Sequence, residues 1–307
     1  MNTFPQDENL KTPSSMLPSE ADNNQSPPSL REAIGLYLLC LGLMLSAGLL
    51  LQAADLRIGL IVTEGGLILL PTLYFIQKNR RSYRQVLHLK WVSPQILLLT
   101  FLITVPFRIC SFLVSAIVQT VFPMPDFILR SLEHMYAELM FPSNTMELFL
   151  SMLGIVIMAA LCEEVMFRGF ILKVFLKRTG TWSAIVISAV GFAFYHLDPW
   201  AIPEIIIIGI FLGWLVVRTG SIFPAMIAHA SFNFLGIFLL PKIFGVKTID
   251  DFFRISFPIY VYPIAFVILI ILLYVFIEHT HSKAVADEST TTGKIRNIEP
   301  NGFYQGG

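Results

Sequence analysis

The chain has 307 residues, of which 55% are hydrophobic and 14% charged, and its mean hydropathy is +0.70. This composition excludes a soluble globular protein, and apolar runs that are continuous rather than alternating exclude a transmembrane β-barrel. The formal net charge is zero and says nothing about partners; for this composition we expect no nucleic-acid partner. All three cysteines lie inside apolar runs, so no disulfide framework is expected, and Cys162 is interpreted as a packing residue.

Apolar runs near twenty residues recur along the chain, which is the length that crosses about 30 Å of hydrocarbon as a helix. The sequence therefore predicts an all-α fold, a polytopic helical bundle with about eight transmembrane helices in a lipid bilayer. A segment at 123–145, rich in proline and aromatic residues, is interpreted as an interfacial segment between the third and fourth spans. The eight predicted spans cover residues 33–53, 57–76, 95–122, 146–172, 182–198, 201–217, 221–240 and 258–277.

The two ends of the chain are polar and are predicted to be disordered tails, at 1–29 and 279–307, around a transmembrane domain at 30–278. Alternating the spans places fourteen Lys and Arg residues on the side of the termini and five on the other side. Because positive charge concentrates on the cytoplasmic side, both termini are predicted to be cytoplasmic. We expect a multi-pass protein of the cell membrane, with a bacterial inner membrane favoured.

The fourth span carries three charged residues, Glu163, Glu164 and Arg168, and each costs about 2.5–3.5 kcal/mol at the centre of a membrane helix on insertion scales. Glu164 and Arg168 are four residues apart, so they share a helix face and can pair. Glu163 is rotated by about 100° from Glu164. One carboxylate can therefore pair with the arginine while the other faces elsewhere, although the pair alone has a purely structural explanation.

Two further spans carry polar residues at similar depth. His196 lies near the end of the fifth, and His229 and Asn233 lie four apart on one face of the seventh. Helical rise places Glu163 about 15 Å, His196 about 21 Å and His229 about 12 Å from the cytoplasmic edge. These depths overlap, so the groups can meet in one pocket, which is expected to open toward the cytoplasmic half.

Such a set of groups has chemical uses. A carboxylate and a neutral imidazole can together remove a proton from water and so make the nucleophile for amide hydrolysis. A second imidazole and an amide N–H can donate to the oxyanion that forms. Alternatively, Glu163, His196 and His229 could bind Zn²⁺, which would activate the water. The HExxH signature of helical zinc sites is absent from the sequence.

At these residues the chain resembles the CAAX prenyl protease and bacteriocin-processing family of intramembrane endopeptidases, which includes type II CAAX endopeptidases and bacterial abortive-infection proteins. The family pattern is EExxxR, FxxxH and HxxxN, each on its own span. All three motifs are intact and in order, and the resemblance covers about 146–240. The matching residues are Glu163, Glu164 and Arg168, then Phe192 and His196, then His229 and Asn233.

The resemblance implies a role for each residue. Glu163 and His196 would activate the water, and His229 and Asn233 would stabilise the oxyanion. Glu164 would support the site with a share in catalysis, and the other supporting residues would be Arg168 and Phe192. The substrate would be a peptide or a membrane protein, which carries a prenyl group in eukaryotic systems. The motifs leave open whether members need a metal.

Two other functions stay open on the residues alone. A proton-coupled transporter could use the buried glutamates as a relay, although no inverted repeat is visible. A non-catalytic membrane scaffold or immunity protein could retain the same groups.

Several polar or small residues lie outside the three motifs. Glu64 and Arg108 are interpreted as pairing within the bundle, and Glu204 as reaching the interface from the far end of the sixth span. Gly209 and Gly213 form a GxxxG pattern, which predicts close packing of two helices.

Overall fold

A computed structural model describes residues 28–248, 251–252, 255 and 257–296, without the side chains of 131, 134 and 282–296. The described residues form helices and no strand, as predicted. The ten helices that position the site are α1 Leu30–Ala54, α2 Leu56–Lys78, α3 Tyr83–Val86, α4 Pro94–Val121, α5 Asp126–Met140, α6 Thr145–Leu176, α7 Thr181–Tyr195, α8 Ile202–Thr219, α9 Phe223–Ile243 and α10 Val261–Arg296.

Seven of the helices in the described part of the chain are long and apolar enough to cross a membrane, namely α1, α2, α4, α6, α8, α9 and residues Val261–His281 of α10. The remaining predicted span, the fifth at 182–198, is the apolar helix α7, which has only 15 residues. It ends three residues earlier than predicted, because Leu197 adopts a left-handed conformation with φ of 54° and cannot continue the helix. The chain is a multi-pass helical bundle with one short member.

The carboxyl end of the bundle corrects one expectation. Helix α10 continues to Arg296, whereas the sequence predicts a disordered tail from 279. No proline interrupts the chain between Glu278 and Arg296, so the last span can extend as a helix beyond its apolar part. The predicted amino-terminal tail at 1–27 and the last residues, 297–307, lie outside the described part of the chain.

The bundle has two ends, which matter for the site. Ser29 and Glu32 cap α1 reciprocally, with Glu32 N donating to Ser29 Oγ and Ser29 N donating to Glu32 Oε2. Glu32 also pairs with Arg81 at 2.8 Å, and Arg218 donates to Thr280 at 2.8 Å. These contacts gather the start of α1, the connection after α2 and the end of the α10 span at what we call the terminus end.

The other end, which we call the opposite end, is built from different connections. Arg57 at the start of α2 pairs with Glu138 of α5 at 3.1 Å and with Glu147 of α6 at 3.3 Å. The rings of Phe122, after α4, and Trp200, before α8, stack with centroids 5.6 Å apart. The segment predicted to be interfacial forms the helix α5 at this end.

Helices α7 and α8 pack closely through the predicted GxxxG pattern. A Cβ atom built on Gly209 would lie 3.0 Å from Ala189 Cβ, and one on Gly213 would lie 3.2 Å from Ile185 Cγ2. Only glycine permits so close an approach of the two helices. The prediction of close packing is confirmed, and this contact fixes the position of α7, which carries His196.

Candidate active site

Helix α6 presents its two glutamates from a short α-helical stretch, Ala159–Glu164, that lies between two π-helical segments, Leu153–Met158 and Val165–Ile171. Widened π turns inside α-helices are rare and often mark functional sites. Both glutamate side chains are buried, with 9% of Glu163 and none of Glu164 exposed. The sequence expectation that the two carboxylates face different partners agrees with the contacts described next.

Glu163 faces both histidines. Its Oε2 atom lies 3.9 Å from His196 Nε2 and 3.7 Å from His229 Nε2. These separations exceed a direct hydrogen bond but are short enough for one water molecule to bridge each pair. Glu163 Oε2 is buried and has no hydrogen-bond partner among the described residues. A carboxylate oxygen and two imidazole nitrogens are therefore aimed at a common point.

Glu164 anchors the other side of the cluster. Its Oε1 atom accepts from Arg168 Nη1 at 2.7 Å and lies 2.9 Å from His229 Nδ1. Arg168 also donates from Nη2 to the Gly209 carbonyl at 3.2 Å, and neither Glu164 nor Arg168 is exposed. The predicted pair on one face of α6 is thus present, and it ties α6 to α8 and α9.

The phenyl ring of Phe192 lies at the centre of these groups. Its centroid is 4.1 Å from the Arg168 guanidinium carbon, 4.7 Å from the His196 ring and 5.6 Å from the His229 ring. A guanidinium over an aromatic face is favourable, more so when both are desolvated. Phe192 therefore packs against the arginine and both histidines of the cluster.

The hydrogen bonds of the histidines decide which ring nitrogens face Glu163. His196 Nδ1 lies 2.9 Å from the Phe192 carbonyl oxygen, which can only accept, so Nδ1 carries the proton and a neutral ring presents the lone pair of Nε2. His229 Nδ1 faces the Glu164 carboxylate in the same way. Both neutral rings therefore present acceptors, and not donors, to the point beside Glu163.

Asn233 lies one turn beyond His229 on α9, where its Nδ2 donates to the Ile155 carbonyl at 2.8 Å. An amide has two N–H donors, so one stays available for another acceptor. Asn233 and His196 both line a cavity of about 260 Å³. The structure thus brings Glu163, Glu164, His196 and His229 into one cluster, with Asn233 in the wall of the adjoining cavity.

The cavity corrects the expected direction of opening. Its outer lining comes from connections at the opposite end, which include Met124, Asp198, Trp200 and Phe252. The sequence predicts a pocket open toward the half that holds the termini. The prediction is wrong because α7 begins near the terminus end and runs away from it. His196 directly follows the last residue of this helix, Tyr195, and so lies toward the opposite end.

The structure also adds residues that the motifs do not contain. Arg108 of α4 pairs with Glu204 of α8 in the cavity wall, and Glu204 also accepts from Ser111 at 2.7 Å and from Ser115. Pairing of Arg108 is as predicted, but Glu204 does not reach the interface, since its side chain is 13% exposed. The position of Glu204 at the start of a span was compatible with both a paired, buried carboxylate and one exposed at the interface, so the sequence could not decide between them.

Glu64 of α2 is a second addition. It is 8% exposed, its Oε2 is buried without a hydrogen-bond partner among the described residues, and it lies close enough to Glu163 for the two carboxylates to interact electrostatically. The prediction that Glu64 pairs within the bundle is not matched by an ion pair in the described part of the chain. The sequence could not predict that Glu64 lies near Glu163, because Glu64 is a single acidic residue in an apolar run.

Metal binding by Glu163, His196 and His229 is the other arrangement that the sequence allows. Within the described residues, no group of three or more His, Cys, Asp or Glu side chains is arranged to hold a metal ion. Glu163 Oε2 lies 3.7 and 3.9 Å from the Nε2 atoms of the two histidines. The geometry does not support a metalloprotease site, and no step below depends on a metal.

Comparison with known proteins places the motif-bearing part of the chain. No curated protein and no solved structure matches the chain. Residues 145–235, which are 91 of the 307 residues, match the family described as type II CAAX prenyl endopeptidase Rce1-like. This segment begins with α6 and ends just after Asn233, so it contains all three motifs. The resemblance drawn from the motifs is confirmed for this segment, which is similar to type II CAAX prenyl endopeptidase Rce1-like proteins.

Proposed function

We propose that the protein is an intramembrane endopeptidase that hydrolyses a peptide bond with a water molecule held between Glu163, His196 and His229. The observation that carries this proposal is the unpartnered Oε2 atom of Glu163, which faces Nε2 of both histidines at 3.7 and 3.9 Å. His196, which faces Glu163, also lines the cavity of about 260 Å³ together with Asn233, and this supports the same interpretation.

Glu163 and His196 activate the water molecule. A water at the common point donates one hydrogen to Glu163 Oε2 and the other to His196 Nε2, whose ring is oriented by its bond to the Phe192 carbonyl. As the water oxygen attacks the scissile carbonyl carbon, its proton passes to Glu163. General-base catalysis of this kind contributes typically about 10²–10⁴-fold in rate.

Collapse of the tetrahedral intermediate completes the reaction. The carbon–nitrogen bond breaks, and the leaving nitrogen takes up the proton that the water released, so that one water has been added across the peptide bond. His196 is positioned to pass this proton, since its Nε2 faces Glu163 and 31% of its side chain is exposed at the cavity. Together the two residues act first as base and then as acid.

The oxyanion requires donors. Asn233 can supply its second N–H from the cavity wall, since the first is used by the Ile155 carbonyl. His229 would have to carry protons on both ring nitrogens in order to donate from Nε2 while Nδ1 donates to Glu164. Preorganised donors at the position of the developing charge lower the barrier most where water is excluded.

Glu164 and Arg168 act as positioning residues in this proposal. Glu164 orients the His229 ring, Arg168 holds Glu164, and Phe192 packs on Arg168. The proposed catalytic core is 146–240 inside a transmembrane domain at 30–278, with both termini in the cytoplasm. The substrate is a peptide or a membrane protein, and synthetic peptides with and without a farnesyl group test whether a prenyl group is needed.

The test compares cells that produce the wild-type protein with cells that produce His196→Ala at the same level. Amino-terminal labelling of membrane proteins should reveal new peptide ends only in the wild-type cells. Purified wild-type protein in liposomes should then cleave the corresponding synthetic peptides, offered with and without a farnesyl group. Cleavage should persist with a strong chelator. Identical sets of peptide ends in both strains would contradict the proposal.

A further inference from the structure

The cavity beside the candidate site runs along one face of α4. Phe112, Ser115 and Gln119 line it at spacings of three and four residues, which is one face of a helix. The lining includes the mostly buried Arg108–Glu204 pair, and Gln119 is two residues from the end of α4 at Val121. The cavity therefore leads from the middle of the bundle to the opposite end.

Connections at the opposite end form its outer part. Asp198 and Trp200 belong to the α7–α8 connection, Met124 to the α4–α5 connection, and Phe252 to the segment before α10. Residues of the terminus-end connections, 79–93, 177–180 and 220–222, do not occur in its lining among the described residues. His196 lines the same cavity.

The route from the terminus end is closed by packing. Every residue of α6 from Val165 to Leu172 is buried, and Phe167, Arg168 and Phe170 are fully so. The connection after α3 presses on this part of α6, since a Cβ atom on Gly169 would lie 2.6 Å from Leu87 Cδ2. Protein interiors packed in this way leave no path for water or a peptide.

The charge distribution assigns a side of the membrane to each end. Alternation of the spans along the sequence assigns fourteen Lys and Arg residues to the terminus end and five to the opposite end, and the excess marks the cytoplasmic side. We propose that substrate reaches Glu163 and His196 from the extracytoplasmic side, through the cavity that opens at the opposite end. The role of this route in cleavage rests on the proposed function, whereas the route itself does not.

The dimensions of the cavity limit what can enter. A volume of about 260 Å³ lies below the range of about 300–1,000 Å³ that is usual for small-molecule pockets. A folded domain does not fit in this volume, so we infer that a substrate enters as an extended segment. The substrate class is therefore an unfolded extracytoplasmic or juxtamembrane segment of a membrane or exported protein, with neutral side chains beside the Arg108–Glu204 pair.

Cysteine labelling tests the route directly. In a background where Cys40, Cys110 and Cys162 are replaced by serine or alanine, single cysteines are introduced by Ala116→Cys in the cavity wall, Ser143→Cys on the surface of the opposite end and Ser82→Cys on the surface of the terminus end. All three positions are exposed. A charged, membrane-impermeant maleimide is applied to intact cells and, separately, to permeabilised cells.

The proposal expects labelling of Ala116→Cys and Ser143→Cys in intact cells, and of Ser82→Cys only after permeabilisation. Addition of Glu163→Gln should leave this pattern unchanged, because access does not require catalysis. Two results would overturn the proposal: labelling of Ala116→Cys only together with Ser82→Cys, or labelling of Ser82→Cys in intact cells. Loss of cleavage after maleimide treatment of Ala116→Cys would link the route to activity, and unchanged cleavage would show that substrate takes another path.

Discussion

His229 lies between the two adjacent glutamates of α6, with its Nδ1 atom 2.9 Å from Glu164 Oε1 and its Nε2 atom 3.7 Å from Glu163 Oε2. The two carboxylates therefore have different roles, although they are neighbours in the chain. Glu164 has the cationic partner Arg168 at 2.7 Å, whereas Glu163 Oε2 has no hydrogen-bond partner in the described residues. Replacing each of the two glutamates by glutamine is the same chemical change, but the expected outcomes differ.

Replacing Glu164 should damage the fold as well as the activity. Glu164→Gln leaves Arg168 charged and fully buried without its counter-charge, and removing one partner of a buried pair costs about 3–5 kcal/mol. Glu163→Gln removes no ion pair with an arginine or lysine, and its only charged-pair candidates are the two histidines at 3.7 and 3.9 Å, so this variant should unfold at nearly the wild-type temperature. Thermal unfolding of the purified variants in detergent compares the two. Equal stability of both variants would contradict the structural role of Glu164.

The Arg108–Glu204 pair in the cavity wall should behave as a coupled unit. Arg108→Gln and Glu204→Gln each leave one buried charge, so each should be destabilising by about 3–5 kcal/mol. The double variant leaves neither charge and should recover part of the loss. Denaturant unfolding of the single and double variants gives the coupling energy, and Arg84→Gln, at an exposed position, serves as control. If the destabilisation of the double variant equalled the sum of the two single destabilisations, Arg108 and Glu204 would not be energetically coupled.

Gly209 should tolerate no larger side chain. Its α-carbon faces Ala189, and a Cβ atom there would also lie 3.2 Å from Arg168 Nη2. Gly209→Val should separate α7 from α8, displace Arg168 and lower stability by about 1–3 kcal/mol, as overpacking usually does. Gly35→Val is the matched control, since nothing lies within 4 Å of a Cβ atom on Gly35. Similar unfolding temperatures for the two variants would contradict this prediction, since they would show that the α7–α8 contact can accommodate a larger side chain at little cost in stability.

His88, in the connection after α3 and outside the membrane-spanning helices, should make stability depend on pH. Burial, with the Lys173 charge nearby, lowers the pKa of His88 from 6.5 to about 4. The unfolded chain then binds the proton first, so stability from this residue is present above pH 6.5 and is lost as the pH falls toward 4. His88→Asn, which suits the φ of 53° at this position, should flatten that part of the profile.

The measurement is the unfolding temperature of the purified protein between pH 4 and pH 7, the range that contains both pKa values of His88. Other groups titrate in the same range, so the informative quantity is the difference between wild type and His88→Asn. His281→Asn, at an exposed histidine, is the control and should follow the wild type. A His88→Asn profile that also coincides with the wild type would refute the assignment.

The helical bundle could be predicted because a membrane span has a strong signal. A run of twenty apolar residues is rare outside membrane spans, and the predicted spans agree with the helices to within a few residues, except where α10 continues to Arg296. The end of α7 depends on the left-handed conformation of Leu197. A leucine in the sequence does not predict that conformation. The helical continuation of α10 lies in a polar segment, where composition alone favours disorder.

The candidate site could be predicted where residues shared a helix face. The four-residue spacing of Glu164 and Arg168 predicted their contact, and the similar depths of His196 and His229 predicted their meeting with Glu163. The proximity of Glu64 to Glu163 depends on the packing of α2 against α6, which no local spacing encodes. The direction of the cavity depends likewise on how α4, α8 and α9 are arranged around it.

The most direct test of the central claim is the rate at which purified Glu163→Gln in liposomes cleaves a peptide that the wild-type protein cleaves, with equal amounts of folded protein. Because Glu163 is proposed to take the proton from the attacking water, the rate should fall by about 10²-fold or more, within the range that general-base catalysis contributes. An unchanged rate at an unchanged unfolding temperature would contradict the account.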